Sequence, residues 1–459
     1  MEIQKTKVPG YLPDEAPTMG KLIAFAFQQI LVMFPATVTV ALLTGFHLST
    51  TIFASGFATL CFLLVTRGQI PLYYGSSFSY IAAVCSITGV REIGQLAPDA
   101  LISQAQFGII FSGLISIVAG LIIKRFGMDL IERILPPTIT GSIALVIGIT
   151  LAGTAMTQAG AYDSAANLTS DRAWIVAGIT LVSTILFSVY MKGVWGQLPI
   201  LLGILVGYFA CIPLDVAGSK MLPEIFSDGF FEAPHFTFPS VSWSAVFAIM
   251  PIAIATIPES TAHLFQLDLY VNDLSKKKGK REYAIADKLG LNLIGDGVGD
   301  IAASIFGGPG GTNYGENIST MAITRNFSIK MLGASSILAI IISFIKPLSN
   351  FINTIPGPVI NGACIFLFGV IAAQGIAIMV NKQVDLFDSR NLAVIAVIMV
   401  VGIGGHYGFP NGMIPFMGFE FPSIATASIV GILMNLVLSF GRGGKDQSEE
   451  QVAEDINHA

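Results

Sequence analysis

The sequence predicts an all-α polytopic membrane protein of fourteen transmembrane segments, arranged as a seven-plus-seven inverted repeat. Three observations carry that prediction. Of 459 residues, 53% are hydrophobic and only 12% charged, with a mean hydropathy of +0.73; soluble chains average about 25% charged. Apolar runs approaching the roughly 20 residues needed to cross a ~30 Å hydrocarbon layer recur along the chain. Two atypical segments, half a chain apart, carry one short pattern at matching positions.

In the first half the segments fall at 22–44, 50–65, 70–88, 106–123, 136–156, 173–190 and 197–213. In the second they fall at 242–257 (extending to 267), 284–306, 313–328, 331–345, 359–380, 391–405 and 424–440. Most are continuous Leu, Ile, Val and Ala. Segments three and ten carry Gly, Ser and Tyr where a spanning helix carries Leu. Each follows a stretch that breaks a helix, Gly68-Gln69-Ile70-Pro71 in one and Gly307-Gly308-Pro309-Gly310-Gly311 in the other.

With the N-terminus inside, all but four of the 24 Lys and Arg residues lie on the cytoplasmic side. The exceptions are Arg91, Arg172, Lys220 and Lys346. Cytoplasmic connections collect such residues, so both termini are expected there, in a cell membrane. The basic run Lys276 to Arg281 reads as a topology anchor. Residues 1–20, with Pro9, Pro13, Pro17, Asp14 and Glu15, read as a polar tail without a removable signal peptide, and 442–459 as a polar, disordered one.

Several classes are excluded. A net charge of −5 supplies no basic field for nucleic acid. Cys61, Cys85, Cys211 and Cys364 have neither metal-ligand nor redox spacing, so no metal or cofactor is expected. Gly295 to Gly299 lacks the strand of a dinucleotide fingerprint, and Gly307 to Gly311 lacks the Lys-Ser/Thr of a phosphate loop.

Tyr74-Gly75-Ser76-Ser77-Phe78-Ser79-Tyr80-Ile81-Ala82 aligns with Tyr314-Gly315-Glu316-Asn317-Ile318-Ser319-Thr320-Met321-Ala322, with Tyr, Gly, Ser and Ala in register. Seven spans per half make the second half enter the membrane upside down. Short, interrupted segments at matching places in two halves point to a transporter's midplane site. Two half-helix N-termini then face one another, and their free N–H groups favour electron-rich atoms such as the carbonyl oxygens of a small polar ligand.

Glu259 and His263, four residues apart in the eighth span, share a helix face. Ionisable groups at this depth are functional candidates, and burial disfavours a carboxylate's charged form, so such a group can exchange a proton. Glu316, opening the second short helix, either joins them or caps its own N-terminus. His47, His235 and His406 fall in extracellular connections and read as solvated. Asp296 and Asp300, one turn apart in the ninth span, are secondary candidates.

At these residues the chain resembles the nucleobase–ascorbate transporter (xanthine/uracil permease) family, and within it the bacterial uracil:proton symporters. The resemblance runs from about Phe27 to Phe440. It is most specific at Arg67 to Pro71, Gly75 to Phe78, Glu259 with His263, and Thr312 to Arg325. It implies a substrate-carrying core of segments 1–4 (21–134) and 8–11 (240–346), and a gate of segments 5–7 (135–217) and 12–14 (347–441). It further implies a homodimer in lipid and an elevator-like motion importing a nucleobase with a proton. Glu259 and Glu316 would bind the base and His263 would couple the proton, with both carboxyls sharing in that coupling. Phe78 and Gly315 would offer backbone groups, beside Ser77, Tyr314 and Phe368. Purine members usually show Gln where Glu316 stands.

Four positions depart from the family pattern: Gln29 in a usual Gln-His pair, Pro35 for Gly, Ser319 for Gly and Phe368 for Tyr. They leave open a different pyrimidine, or a purine such as xanthine or uric acid. Two further readings are an anion exchanger or channel, which a carboxylate at Glu316 opposes, and a membrane-embedded enzyme using Glu259 and His263 as acid and base. No nucleophile motif or cofactor loop accompanies the latter, so no enzymatic activity is expected.

Overall fold

Helices dominate the computed structural model, which describes residues 9–90, 94–127, 136–160, 170–193, 195–216, 229–416 and 419–440. The first eight residues, the tail 442–459 and the expected domain boundaries at 134/135 and 217 lie outside these. The first half contains α1 (Met19–Thr44), α2 (Leu48–Val65), β1 (Tyr74–Ser76), α3 (Phe78–Thr88), α4 (Asp99–Phe126), α5 (Pro137–Ala159), α6 (Ser170–Tyr190) and α7 (Pro199–Leu214). The second contains α8 (Trp243–Lys277), α9 (Leu289–Ile305), β2 (Gly311–Asn313), α10 (Gly315–Thr324), α11 (Ile329–Ile342), α12 (Lys346–Asn353), α13 (Gly357–Asn381) and α14 (Ser389–Gly408). A hairpin of β3 (Met413–Phe416) and β4 (Phe419–Pro422) then leads into α15 (Ser423–Phe440).

Eight described helices are long and apolar enough to span a bilayer: α1, α2, α4, α5, α6, α8, α13 and α14. The sequence predicted fourteen segments. Four others, α3, α7, α11 and α15, are apolar but shorter. The remaining two, α9 and α10, carry Asn292, Asp296, Asp300, Glu316 and Asn317, and most of these side chains are buried in protein. Polar side chains surrounded by protein, and not by lipid, are compatible with a place at membrane depth. Neither α12, a polar eight-residue helix, nor the β3–β4 hairpin was expected from the sequence.

Large apolar side chains lie exposed on the outer helix faces, among them Leu114, Val118 and Leu121 of α4, Val182, Leu186 and Val189 of α6, and Leu433 and Val437 of α15. In water, contiguous apolar surface of this kind marks an interaction site; here it provides a lipid-facing belt. The chain is a multi-pass membrane protein.

Inside, backbones approach closely where glycine permits. A Cβ on Gly297 would lie 2.2 Å from the Gly113 carbonyl oxygen, and one on Gly120 would lie 2.6 Å from that of Gly290, so α4 and α9 pack main chain to main chain. Small residues serve this purpose between membrane helices, where apolar burial gives little advantage over lipid. The packing also recurs in matched sets. As α4 lies on α9, α2 lies on α11; as α1 lies on α11, α4 lies on α8; as α13 lies on α6, α5 lies on α14.

The basic run makes specific contacts with the N-terminal segment. Lys278 Nζ donates to Glu15 Oε2 at 2.5 Å and Lys280 Nζ to Oε1 at 2.7 Å, while the Tyr283 hydroxyl donates to Asp14. Tyr11 N–H donates to the Arg325 carbonyl at 2.7 Å, and Phe327 N–H to that of Tyr11 at 2.8 Å, so residues 10–15 strap the end of α8 to the end of α10. Burial acts to raise the Glu15 carboxyl, but the hydrogen bonds from Lys278, Lys280 and Leu12 N–H outweigh it and hold the group at about 2, below its usual 4.5. A depressed carboxyl stabilises the fold above its unfolded value, and that contribution is lost as pH falls from 4.5 towards 2. Discounted for solvent screening, Glu15→Gln is expected to remove about 1–2 kcal/mol at neutral pH. Melting temperatures of the two proteins in detergent should converge over that acid range; a gap that persists in acid would overturn the assignment.

Candidate functional site

The helix-breaking stretches become two extended segments that cross. Strands β1 and β2 pair antiparallel, with Tyr74 opposite Asn313, Gly75 opposite Thr312 and Ser76 opposite Gly311. The ladder continues at both ends, where Ser77 N–H donates to the Gly310 carbonyl and Tyr314 N–H to that of Tyr73, each at 3.0 Å. Each strand leads directly into a short helix, α3 at Phe78 and α10 at Gly315. The crossing requires glycine, since a Cβ on Gly311 would fall 2.1 Å from the Gly75 carbonyl oxygen and one on Gly75 would fall 2.4 Å from the Tyr314 ring.

Both helix starts receive a carboxylate. Glu259, half-buried on α8, accepts a hydrogen bond from Ser79 Oγ at 3.3 Å, which sets it against the first turn of α3. Ser77 Oγ caps that turn by accepting from Ser79 N–H at 3.2 Å. In α10 no side chain caps the start, and Glu316 stands in the first turn. Its carboxyl interacts with its own N–H and lies within electrostatic range of Glu259. The Glu316 residue is itself exposed.

One turn beyond Glu259, the His263 ring lies against the start of α10, where a Cβ on Gly315 would meet Nε2 at 2.8 Å. Its Nδ1 is buried without a hydrogen-bond partner. Buried polar atoms are normally paired, which makes this nitrogen an exception. Across from α3, Phe368 of α13 meets Phe78 edge to face, centroids 6.3 Å apart. Glu259, His263, Gly315, Glu316, Ser77, Phe78 and Phe368 thus gather around the two helix starts. Tyr314 plays another part: its hydroxyl donates to the Ser76 carbonyl and pairs with Thr37 Oγ1, each at 3.0 Å, so it fastens the crossing.

A supporting layer was largely illegible in the sequence. Asp300 Oδ1 accepts from the Tyr74 hydroxyl at 2.5 Å and Gly311 N–H at 2.8 Å, and Oδ2 accepts from the Tyr80 hydroxyl at 2.9 Å. Asp296 accepts from Ser260, whose Oγ in turn accepts from Asn292 at 2.6 Å and from Asn313 at 2.9 Å. Asn317 donates to Gln29 Oε1 at 2.7 Å and to the Gln29 carbonyl at 3.0 Å, which gives the unusual Gln29 a partner. The one-turn spacing of Asp296 and Asp300 was visible in the sequence; their hydroxyl and amide partners were not. A separate cavity of about 190 Å³ has other walls, among them Phe46, His47, Glu232 and His235.

Comparison with known proteins bears on the whole chain. The model of the permease family designated Xan_ur_permease matches residues 20–411. The uracil permease of Bacillus caldolyticus is 35% identical over 449 residues, 96% of each chain. That of Bacillus subtilis strain 168 is 32% identical over 95% of this chain and 97% of its own, and that of Escherichia coli K12 is 30% identical over 92% of each. Among solved structures, the transmembrane domain of the cyanobacterial bicarbonate transporter BicA superposes with a TM-score of 0.54 at 13% identity, over 91% of this chain and 97% of that one. The murine anion transporter Slc26a9, in its inward-facing state, gives 0.65 at 13% identity, over 96% and 70%. At such identities these two structures show a shared fold alone.

Proposed function

This chain belongs to the xanthine/uracil permease family, a family of transporters and not of enzymes, and from that premise we propose that it imports uracil together with a proton. The observation carrying the proposal is the pair of carboxylates, Glu259 and Glu316, each at the start of a half-helix and close enough to sense one another, with His263 between α8 and α10. A pyrimidine ring edge offers N–H donors to the carboxyls and carbonyl oxygens to the free backbone N–H groups of Phe78 and Gly315. A proton shared among Glu259, Glu316 and His263 then ties movement of the base to the proton gradient. Relatives named as uracil permeases, and Glu316 where purine members usually have Gln, favour uracil over xanthine.

In this reading the fourteen segments form two inverted sevens, a view supported by the matched packing of α4 on α9 and α2 on α11. A core of 21–134 with 240–346 carries the base past a gate of 135–217 with 347–441, as an elevator. The protein works as a homodimer in the bacterial plasma membrane, with both termini cytoplasmic. Carboxylates at both helix starts oppose the anion-exchange reading by electrostatic repulsion.

Uptake of labelled uracil into proteoliposomes, competed by a panel of pyrimidines and purines with and without a pH gradient, tests the proposal. Uracil is expected to compete best, and an inside-alkaline gradient to drive accumulation. Stronger competition by xanthine would replace uracil with a purine. Flux that needs chloride or bicarbonate and ignores the pH gradient would replace the proposal with anion exchange.

A further inference from the structure

Two of the histidines read from the sequence as solvated meet on one carboxylate. His47 precedes α2, His235 lies in the stretch leading to α8, and Asp99 opens α4. His47 Nε2 lies 3.1 Å from Asp99 Oδ1, and His235 Nε2 lies 2.8 Å from Oδ2. The two imidazoles overlap with centroids 4.2 Å apart. Among the described residues this is the one group of three His, Cys, Asp or Glu whose donor atoms all lie within 4.8 Å of one another.

We propose that His47, Asp99 and His235 form a binding site for a divalent transition metal of the zinc class, on the face where α1 ends and α4 begins. Tetrahedral zinc, bound to nitrogen and oxygen at 2.0–2.2 Å, holds its ligand atoms about 3.3 Å apart. The two Nε2–carboxylate distances, 3.1 and 2.8 Å, lie near that spacing, and all the donor atoms fall within 4.8 Å of one another. Two imidazoles and one carboxylate suit zinc, copper or nickel, and not magnesium or calcium, which take oxygen. The three side chains leave a fourth position for water, and His47 and His235 border the cavity of about 190 Å³ through which an ion reaches the site. Glu232 lines the same cavity, where it pairs with Lys346 at 3.1 Å.

Coordination uses the Nε2 lone pairs and leaves each ring's remaining proton on Nδ1; a doubly protonated ring first gives one proton to solvent. The metal fastens the stretch before α8 to the α1–α2 turn and to α4. Sequence spacing had no means of showing the site, because its members stand 52 and 136 positions apart.

The test is equilibrium binding of ZnCl2 to the purified full chain carrying no polyhistidine tag, with melting temperature followed in parallel. One zinc per chain is expected, with a rise in melting temperature by mass action. Both should be lost in His47→Ala and in His235→Ala, and neither should be displaced by excess MgCl2. Absence of stoichiometric zinc binding in the wild type, or equal binding in wild type and both variants, overturns the proposal. A wild-type melting temperature that responds to pH through His235 while ignoring zinc also overturns it, in favour of a clasp worked by protons. These outcomes are independent of whether uracil is the transported base.

Discussion

Glu259→Gln is expected to abolish pH-gradient-driven accumulation of uracil while leaving the fold intact. Glutamine matches glutamate in size, and its carbonyl oxygen still accepts from Ser79 Oγ, the 3.3 Å bond that sets the side chain at the start of α3. It does not gain or lose a proton at neutral pH. It also presents an N–H₂ where a carboxylate would accept from the ring N–H of the base. A hydrogen bond to a charged group contributes about 1.5–3 kcal/mol, so uracil affinity should fall about tenfold to a hundredfold. Binding of labelled uracil to detergent-solubilised protein reads the affinity, and vesicle uptake with an imposed gradient reads the coupling. A variant that concentrates uracil like the wild type refutes the role given to Glu259.

Asp300→Ala is expected to give the largest loss of stability. The wild-type carboxylate accepts from the Tyr74 hydroxyl, the Tyr80 hydroxyl and Gly311 N–H, and all three donors are buried. Tyr80 keeps a partner in Ser112, 2.7 Å away, but Tyr74 and Gly311 lose theirs at this position. Two stranded donors at about 1–3 kcal/mol each amount to roughly 4 kcal/mol, concentrated where β1 crosses β2. The variant should melt well below the wild type in detergent, and Asp300→Asn, which keeps an acceptor oxygen, should recover part of the loss. An unchanged melting temperature for Asp300→Ala would show that Asp300 does not hold the crossing together.

The sequence revealed what the hydrocarbon layer dictates directly. Runs such as 106–123 and 359–380 must be long and apolar to cross it, and they reappear within α4 and α13. The interruptions at Gly68 to Pro71 and Gly307 to Gly311 were visible because proline and glycine disrupt helices wherever they stand. Glu259 and His263 stood out as ionisable groups among apolar neighbours. What remained hidden depends on encounters between distant parts of the chain. Nothing near Tyr74 shows that it will lie opposite Asn313, and nothing near Asp300 shows that Tyr74 and Tyr80 will bond to it. The polar helix α12 lacks the apolar length that marks a spanning segment, and the meeting of His47 with His235 depends on Asp99, which stands 52 and 136 positions from them.

The seam between β1 and β2 has a mechanical consequence. Main-chain hydrogen bonds join residues 73–77 to 310–314 there, at the ~4.8 Å spacing of paired strands, so the helices that follow cannot drift apart without tearing the seam. A guest lodged between their ends therefore meets a caliper of fixed width. Adjustment is left to the opposite jaw, where Phe368 belongs to a helix outside the seam, and that side is where altered selectivity should be sought.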